Sequence, residues 1–325
     1  MWTSIVSRSV KSIALVLAAA AYCGPAMAAF PEQPIRLIVP FSPGGGTDLV
    51  ARTIGAGMSK DLGQTVIVEN KPGAGTMIGE DFVAKSKPDG YTLVISSFAH
   101  AVNPTLQPHL PYGSNKAFTP VMLIARGPNV LVVRANSPFK TVGDLVAAAK
   151  EHPNKLTYAS QGTGTSAHLA GALFADLTKI KITHIPYRGA GPALSDLMGG
   201  QVDMMFATAS AAAPLVSGGK LKALGVTTTS PSPAFKGVPP ISASVPGYAV
   251  ESWYAIYAPA GTPAAVVDRL NAAARKAVQD PMFTSMVQHE GLTVSAGTPT
   301  DLERYVRAEE ERWGRVIKEN NIKPE

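Results

Sequence analysis

Four times along this chain a short run of β-branched residues gives way to a glycine loop and then to a stretch of helical period, a rhythm that few folds accommodate. Ile35 to Val39 leads through Pro43-Gly44-Gly45-Gly46-Thr47-Asp48 into a helix expected over 49–62, which Thr47 or Asp48 can cap. Val66 to Val68 leads through Lys71-Pro72-Gly73-Ala74-Gly75-Thr76 into a helix over 77–85, and a strand follows at 91–96. A second series then begins, with strands at 130–133, 156–159, 183–185, 202–206 and 221–226. Its helices fall at 142–150 behind Thr141 as cap, at 167–177, and after Gly191 with Pro192 in the first turn, where a missing N–H costs nothing. Strands alternating with helices of about 10 to 15 residues imply parallel βαβ units, so the fold class is α/β with doubly wound sheets flanked by helices.

Two series imply two lobes, which also suits the length. The chain should cross between them near 129–133 and return near 250–258, giving a two-strand hinge. The expected division is a signal peptide over 1–28, a first lobe over 29–129, a second lobe over 130–251, and a return segment over 252–325. That last segment should carry helices at 263–279, 281–290 and 299–319. The proline-rich tract 227–246 has no helical period and is read as an ordered surface loop.

The amino terminus has no acid before Glu32, carries Arg8 and Lys11, runs apolar from Ile13 to Ala21 and reaches Ala26-Met27-Ala28. This order is that of a secretory signal cleaved after Ala28. The apolar run is too short to span a bilayer, which takes about 20 residues. Export to the periplasm is therefore expected. The single cysteine, Cys23, lies inside the signal behind the bulky Tyr22, so neither a lipid anchor nor a disulfide framework is expected. Removing the signal lowers the net charge from +6 to +4, because Arg8 and Lys11 leave with it. Lys and Arg are scattered without basic runs or interleaved aromatics, which argues against nucleic acid as a partner.

Each glycine loop presents backbone N–H groups at a helix N-terminus, where the dipole favours an anion by roughly 0.3–2 kcal/mol. Tight βα turns need glycine for geometry alone, so one such loop says little. Two on opposing lobes say more. Gly44, Gly45, Gly46, Thr47 and Asp48 on one side, and Gly162, Thr163, Gly164, Thr165 and Ser166 on the other, supply amides and hydroxyls but no cation, which suits a carboxylate. Asp48 would repel such a ligand unless it caps its helix or holds bridging waters; capping is the expected role. The first loop lacks the Lys-Ser/Thr of a P-loop, and nothing fits G-x-G-x-x-G with an acid about 20 residues on.

Phe41, Ser97, Phe98 and Thr208 stand at strand ends and are assigned to the pocket wall. Phe41 and Phe98, with the uncharged Ala207 and Thr208 beyond, point to an aromatic or extended apolar carboxylate, since an amino acid would want an acid there; the ligand class expected is a dicarboxylate or aromatic carboxylate. Tyr187 is a further wall candidate, and Arg188 is either a partner for a second ligand charge or a surface ion pair. A secreted hydrolase using Ser166 is the competing reading. It is weakened because Gly164-Thr165-Ser166-Ala167-His168 lacks the second glycine of a nucleophile elbow. His168 is read as a packed helix residue bonding locally. No histidine pair has metal-ligand spacing, so no catalytic residue, metal or cofactor is assigned. Glu309-Glu310-Glu311 are read as a solvated helix face.

Longer strings resemble a known family. Ile35-Arg36-Leu37-Ile38-Val39-Pro40-Phe41 with Pro43-Gly44-Gly45, Val68-Glu69-Asn70-Lys71-Pro72-Gly73-Ala74-Gly75, and Pro88-Asp89-Gly90-Tyr91-Thr92-Leu93 are similar to segments of the Bug family. These are the solute receptors of tripartite tricarboxylate transporters. Asn103-Pro104, Gly162-Thr163-Gly164-Thr165 with His168-Leu169, Pro186-Tyr187-Arg188-Gly189, Gly200-Gln201-Val202-Asp203, Trp253 and Ala258-Pro259-Ala260-Gly261-Thr262-Pro263 continue the likeness from about residue 30 to the C-terminus. The resemblance implies a type II periplasmic-binding-protein fold and a ligand carboxylate held at Pro43–Asp48, partly through ordered waters, opposite Gly162–Ser166. It also implies membrane permease subunits as partners of a monomer. Presenting ligand to a membrane sensor would use the same clamp. Two departures stand out: Phe206 is followed by Ala207-Thr208 where the family often has an acid, and Thr227 to Ser230 lack a common arginine.

Overall fold

The computed structural model describes residues 30–319 and 322–323; the signal and its expected cleavage after Ala28 lie outside them. The first stretch runs β1 (Ile35–Val39), α1 (Gly46–Leu62), β2 (Val66–Asn70), α2 (Met77–Ala84), β3 (Thr92–Ser97), α3 (Phe98–Leu106) and β4 (Phe118–Arg134). Next come α4 (Val142–Glu151), β5 (Thr157–Ser160), α5 (Ser166–Thr178), β6 (Thr183–Pro186), α6 (Ala190–Gly199), β7 (Met204–Thr208), α7 (Ala209–Ser217) and β8 (Leu221–Val226). The chain returns through β9 (Glu251–Pro259), α8 (Ala264–Ala277), α9 (Pro281–His289), β10 (Thr293–Val294) and α10 (Pro299–Glu319).

Local chemistry accounts for most of these elements. α1 buries Val50, Ala51, Ile54, Met58 and Leu62 on one face and stops at Gly63, whose φ of 67° is left-handed and lets its N–H return to Ser59. α4 opens on a capping box, with Thr141 accepting from the Asp144 N–H and Asp144 accepting from the Thr141 N–H. α10 buries Leu302, Val306, Trp313 and Ile317 on one stripe. The sequence reading put Glu309 on a solvated face, whereas it is buried on this stripe and accepts from the Trp313 indole N–H at 3.1 Å. Burial raises its carboxyl above the usual value.

The strands form one mixed sheet in the order β2-β1-β3-β9-β4-β7-β5-β6, with β8 and β10 also on β4. The runs β2-β1-β3 and β7-β5-β6 are parallel, as βαβ units require, while β9 and β4 are antiparallel to their neighbours. β4 runs through both sets. From Phe118 to Pro128 it pairs with β9, and from Asn129 onward it pairs with β7 and β8. Pro128 has no N–H to give, and the change of partners falls there.

Thr227 ties the two crossing segments together. Its N–H donates to the Asn129 carbonyl at 2.9 Å, its hydroxyl oxygen accepts from the Asn129 N–H at 2.8 Å, and its carbonyl accepts from the Val250 N–H at 3.0 Å. The proline-rich tract that starts here is more than a surface loop. It buries Phe235, Ile241 and Val245 against the sheet, and its Pro239 carbonyl accepts from the Val226 N–H.

Candidate functional site

Parallel strands followed directly by helices place several helix N-termini at one end of the sheet, outside the carboxyl ends of the strands. Two seams of contact form there between the β1-side and β5-side loops. In the first, the Arg188 carbonyl accepts from the Ser42 N–H at 3.0 Å and from the Ser42 hydroxyl at 2.9 Å. A methyl group on Gly45 would sit 3.4 Å from Ala190 Cβ, at the start of α6. One on Gly46 would overlap Ser210 of α7 and come within 2.9 Å of the Tyr254 hydroxyl on β9. In the second seam, a methyl on Gly75 would meet the Thr163 carbonyl and one on Gly164 would meet Asn103 Oδ1 of α3 at 2.7 Å. At Gly46, Gly75 and Gly164 only a residue without Cβ fits unless a neighbour shifts, whereas the Gly45 approach is an ordinary van der Waals contact.

The Phe41–Asp48 loop differs from expectation in how its groups are used. Gly45 is the N-cap of α1 and makes no side-chain cap bond, so Asp48 is not the cap. Asp48 is 5% exposed and accepts from the Gly44 N–H at 3.1 Å, from Arg52 Nε at 3.0 Å and from Asn70 Nδ2 at 2.9 Å. Burial works to raise its carboxyl, but Arg52, Asn70 and Gly44 outweigh it and hold the group below its usual value. The charge that would repel an anion is thereby matched inside the loop. It also means that the Gly44 N–H is occupied, leaving the N–H groups of Gly46, Thr47 and Asp48, which have no intrahelical acceptor, as the first loop's donors. Phe41 is buried at the end of β1, and its carbonyl accepts from Asn70 Nδ2 at 3.0 Å.

The Gly162–Ser166 loop is wound around Gly162, whose φ is 135°. Its carbonyl accepts from the Thr165 hydroxyl at 2.6 Å and from the Thr165 N–H at 3.2 Å. Thr165 was expected to donate to a ligand; its proton is instead engaged within the loop. The Gly164 N–H is likewise taken, by His168 Nδ1 at 3.1 Å. Ser166, the first residue of α5, is 1% exposed and its hydroxyl has no hydrogen-bond partner among the described residues. Gln161 Oε1 and Asn103 Oδ1, nearby in the chain or across the seam, are also buried and without a partner among the described residues. Because His168 faces Gly164, Ser166 has no base engaged with it among the described residues, and the hydrolase reading loses its neighbour in sequence.

Ser97 and Thr208 sit where expected, at the ends of β3 and β7. Ser97 lies beside Tyr254 in the antiparallel β3–β9 ladder, and the Tyr254 hydroxyl is 2.9 Å from Ser210 Oγ, which is 3.4 Å from Thr208 Oγ1. Phe98 does not line this space: its ring packs edge-on against Trp313 with centroids 4.7 Å apart, inside the core. The Tyr187 hydroxyl donates to Asp196 at 2.7 Å, and burial with that carboxylate pushes it up to about 12. Arg188 is exposed and bridges the seam only through its carbonyl.

Asn103, Gly75, Ser210 and Tyr254 are at the seams although none was assigned to the site. Gly75 was in a recognised loop, Asn103 in a recognised dipeptide, and either could have been found there. Ser210 and Tyr254 carried no local signal.

Over residues 50–322 the chain matches the family described as tripartite tricarboxylate transporter family receptor. It superposes on the periplasmic binding protein BugD with a TM-score of 0.88 at 32% identity, covering 91% of this chain and all of that one. Rpa4515 of R. palustris, solved with adipate, gives a TM-score of 0.88 at 36% identity over 91% of this chain and 100% of that one. MatC from Rhodopseudomonas palustris, solved with bound malate, gives 0.85 at 35% identity over 89% of this chain and 100% of that one. With the helix N-termini assembled as they are and the family matched across most of its length, this chain belongs to the receptor family of tripartite tricarboxylate transporters, whose members are periplasmic binding proteins.

Proposed function

We propose that this receptor captures a small dicarboxylate between the Gly44–Asp48 and Gly162–Ser166 loops and delivers it, as a monomer, to the membrane permease subunits of its transporter. The observation that carries the reading is that the start of α1 meets α6 and α7 while the loop before α5 meets Gly75 and Asn103, with the buried Ser166 hydroxyl unpartnered among the described residues. A carboxylate makes each such hydrogen bond roughly twice as strong as a neutral acceptor does. Helix N-termini add field without burying a cation. The adipate and malate held by two relatives of about one-third identity support the dicarboxylate class. An aromatic ligand is less favoured than the sequence implied, because Phe98 packs into the core.

The lobes of this clamp are residues 29–129 with 252–325, and 130–251. β4, β9 and the Thr227 tie form the hinge. Neither loop alone offers enough donors for micromolar affinity, about −8 kcal/mol, so ligand should hold the lobes together. Calorimetry with adipate, malate, benzoate and the amide analogue of the best binder tests the chemistry, and small-angle scattering tests the closure. The acid should bind at least tenfold more tightly than its amide, and the radius of gyration should fall on saturation. Equal binding of acid and amide would sink the carboxylate reading; an unchanged radius would sink the clamp.

A further inference from the structure

The Gly162–Ser166 loop is held from behind by aromatic rings. His184 on β6 stacks on His168 of α5 with centroids 4.3 Å apart and planes 14° apart, and Tyr158 of β5 stacks on the other side of His184 at 4.8 Å. Gly171, one turn beyond His168, leaves room for the Tyr158 ring, which any Cβ there would strike. Both histidines are buried, at 3% and 8% exposure.

Each ring reaches the loop by one nitrogen. His168 Nδ1 accepts from the Gly164 N–H at 3.1 Å, so this nitrogen carries a lone pair. His184 Nε2 lies 2.6 Å from Ser160 Oγ. The Ser160 hydroxyl in turn accepts from the Gly162 N–H at 3.1 Å and lies 3.1 Å from the Gly162 carbonyl. One ring therefore fixes Gly164 and the other, through Ser160, fixes Gly162. Both have left-handed φ values, 82° and 135°, and they bracket Thr163, whose carbonyl meets the opposite loop at Gly75.

We infer that His168 and His184 are positioning residues for ligand capture, setting the loop in its binding geometry only while both rings are neutral. This rests on the proposed role of that loop in holding the carboxylate. A proton on His168 Nδ1 would turn the acceptor into a second donor aimed at the Gly164 N–H. A charge on either ring would also lie against the other ring. The cavity of about 620 Å³ that reaches both rings is lined, among the described residues, by Lys179, Lys181 and Lys323 and by Asp176, which pairs with Lys179 at 3.1 Å. β5 contributes Tyr158 and Ser160, and β7 packs with apolar side chains. Burial, and for His184 the neighbouring ring, lower the pair to about 4 and about 3.

Two variants separate the roles of shape, acceptor and charge. His168→Asn keeps an acceptor near the position of Nδ1 but does not titrate; His168→Leu removes the acceptor. Adipate binding by the mature protein is followed by calorimetry from pH 8 to 4.5, and amide exchange of residues 162–165 is read without ligand at pH 7.5. The Leu variant should bind at least tenfold more weakly at pH 7.5 and expose the Gly164 amide, and the Asn variant should restore both. Acidification titrates adipate itself, so the comparison is between curves: wild type should fall more steeply than the Asn variant. Unchanged Gly164 exchange in the Leu variant, or superimposable pH curves for wild type and Asn, overturns the inference. If wild type binds no carboxylate while exchange at Gly164 still responds to His168→Leu, the positioning stands and the ligand reading fails. Should the Leu variant not fold, the Asn curve decides.

Discussion

The two sides of the candidate site are buttressed by different chemistry. Behind the first side lies a buried carboxylate, Glu80 of α2, which accepts from Ser96 at 2.5 Å and from the Tyr112 hydroxyl at 2.7 Å and lies 3.3 Å from His100 Nδ1. Behind the second lies the neutral stack of Tyr158, His184 and His168. Burial works to raise the Glu80 carboxyl, but His100, Ser96 and Tyr112 outweigh it and hold it below its usual value. The ionised hub joins α2, β3 and α3, the elements that carry Ser97 and Asn103. The difference teaches that one side is built to keep a charge and the other to exclude one, so acid should reach them in different pH windows.

Removing the hub should have the largest effect. Glu80→Ala leaves two hydroxyls and a buried ring without their acceptor and opens a cavity, at a cost of about 3–5 kcal/mol. Urea unfolding at pH 7.5 measures it. A loss under 1 kcal/mol would erase the distinction between the two sides.

Acid should separate them next. The histidines' folded values lie below the ordinary 6.5, so the unfolded chain takes up more protons and stability falls as pH drops from 6.5 toward about 4. Each ring contributes a loss of about 1.4 kcal/mol per pH unit in that window, near 2.7 kcal/mol by pH 4.5. Glu80 has the same sign but acts only below its usual carboxylate range. Wild type should therefore lose more than His168→Asn between pH 6.5 and 4.5 in the same unfolding assay, and parallel losses would show that the stack does not sense protons.

The smallest effects concern the loop itself. Ser166→Ala should weaken carboxylate binding by about 2 kcal/mol, roughly thirtyfold, because a hydrogen bond to a charged group is lost. Thr165→Val removes a neutral bond to a Gly162 carbonyl that keeps two other donors, so about 1 kcal/mol, some fivefold, is expected. Calorimetry of the two variants gives the order, and a larger loss for Thr165→Val would move the ligand-facing hydroxyl from Ser166 to Thr165.

Much of the fold was legible because its signals are local. Helix α10 is found at the expected residues, β8 likewise, and Thr141 caps α4 as read. α3 and α7 were missed: each starts on the residue after a strand with no glycine loop between, and each contains a proline, Pro104 or Pro214, that argues against a helix. The part of β4 before Val130 was missed because Pro120, Gly127 and Pro128 interrupt the strand pattern that the β9 ladder nevertheless holds.

What the sequence determined by itself was the α/β alternation, the two series, the glycine loops and the family, since each is written in spacing and composition along the chain. Which polar groups remain available was decided only by the tertiary structure. Gly44, Gly164 and Thr165 look like free donors in a string of letters, yet Asp48, His168 and the Gly162 carbonyl take them, while Ser166 is left over. His184 lies 24 residues from Ser160, and Tyr254 lies 44 from Ser210. Spacing reports which groups a chain carries, but hydrogen bonds are short and directional, so their pairing waits until the fold has brought distant strands to the same edge.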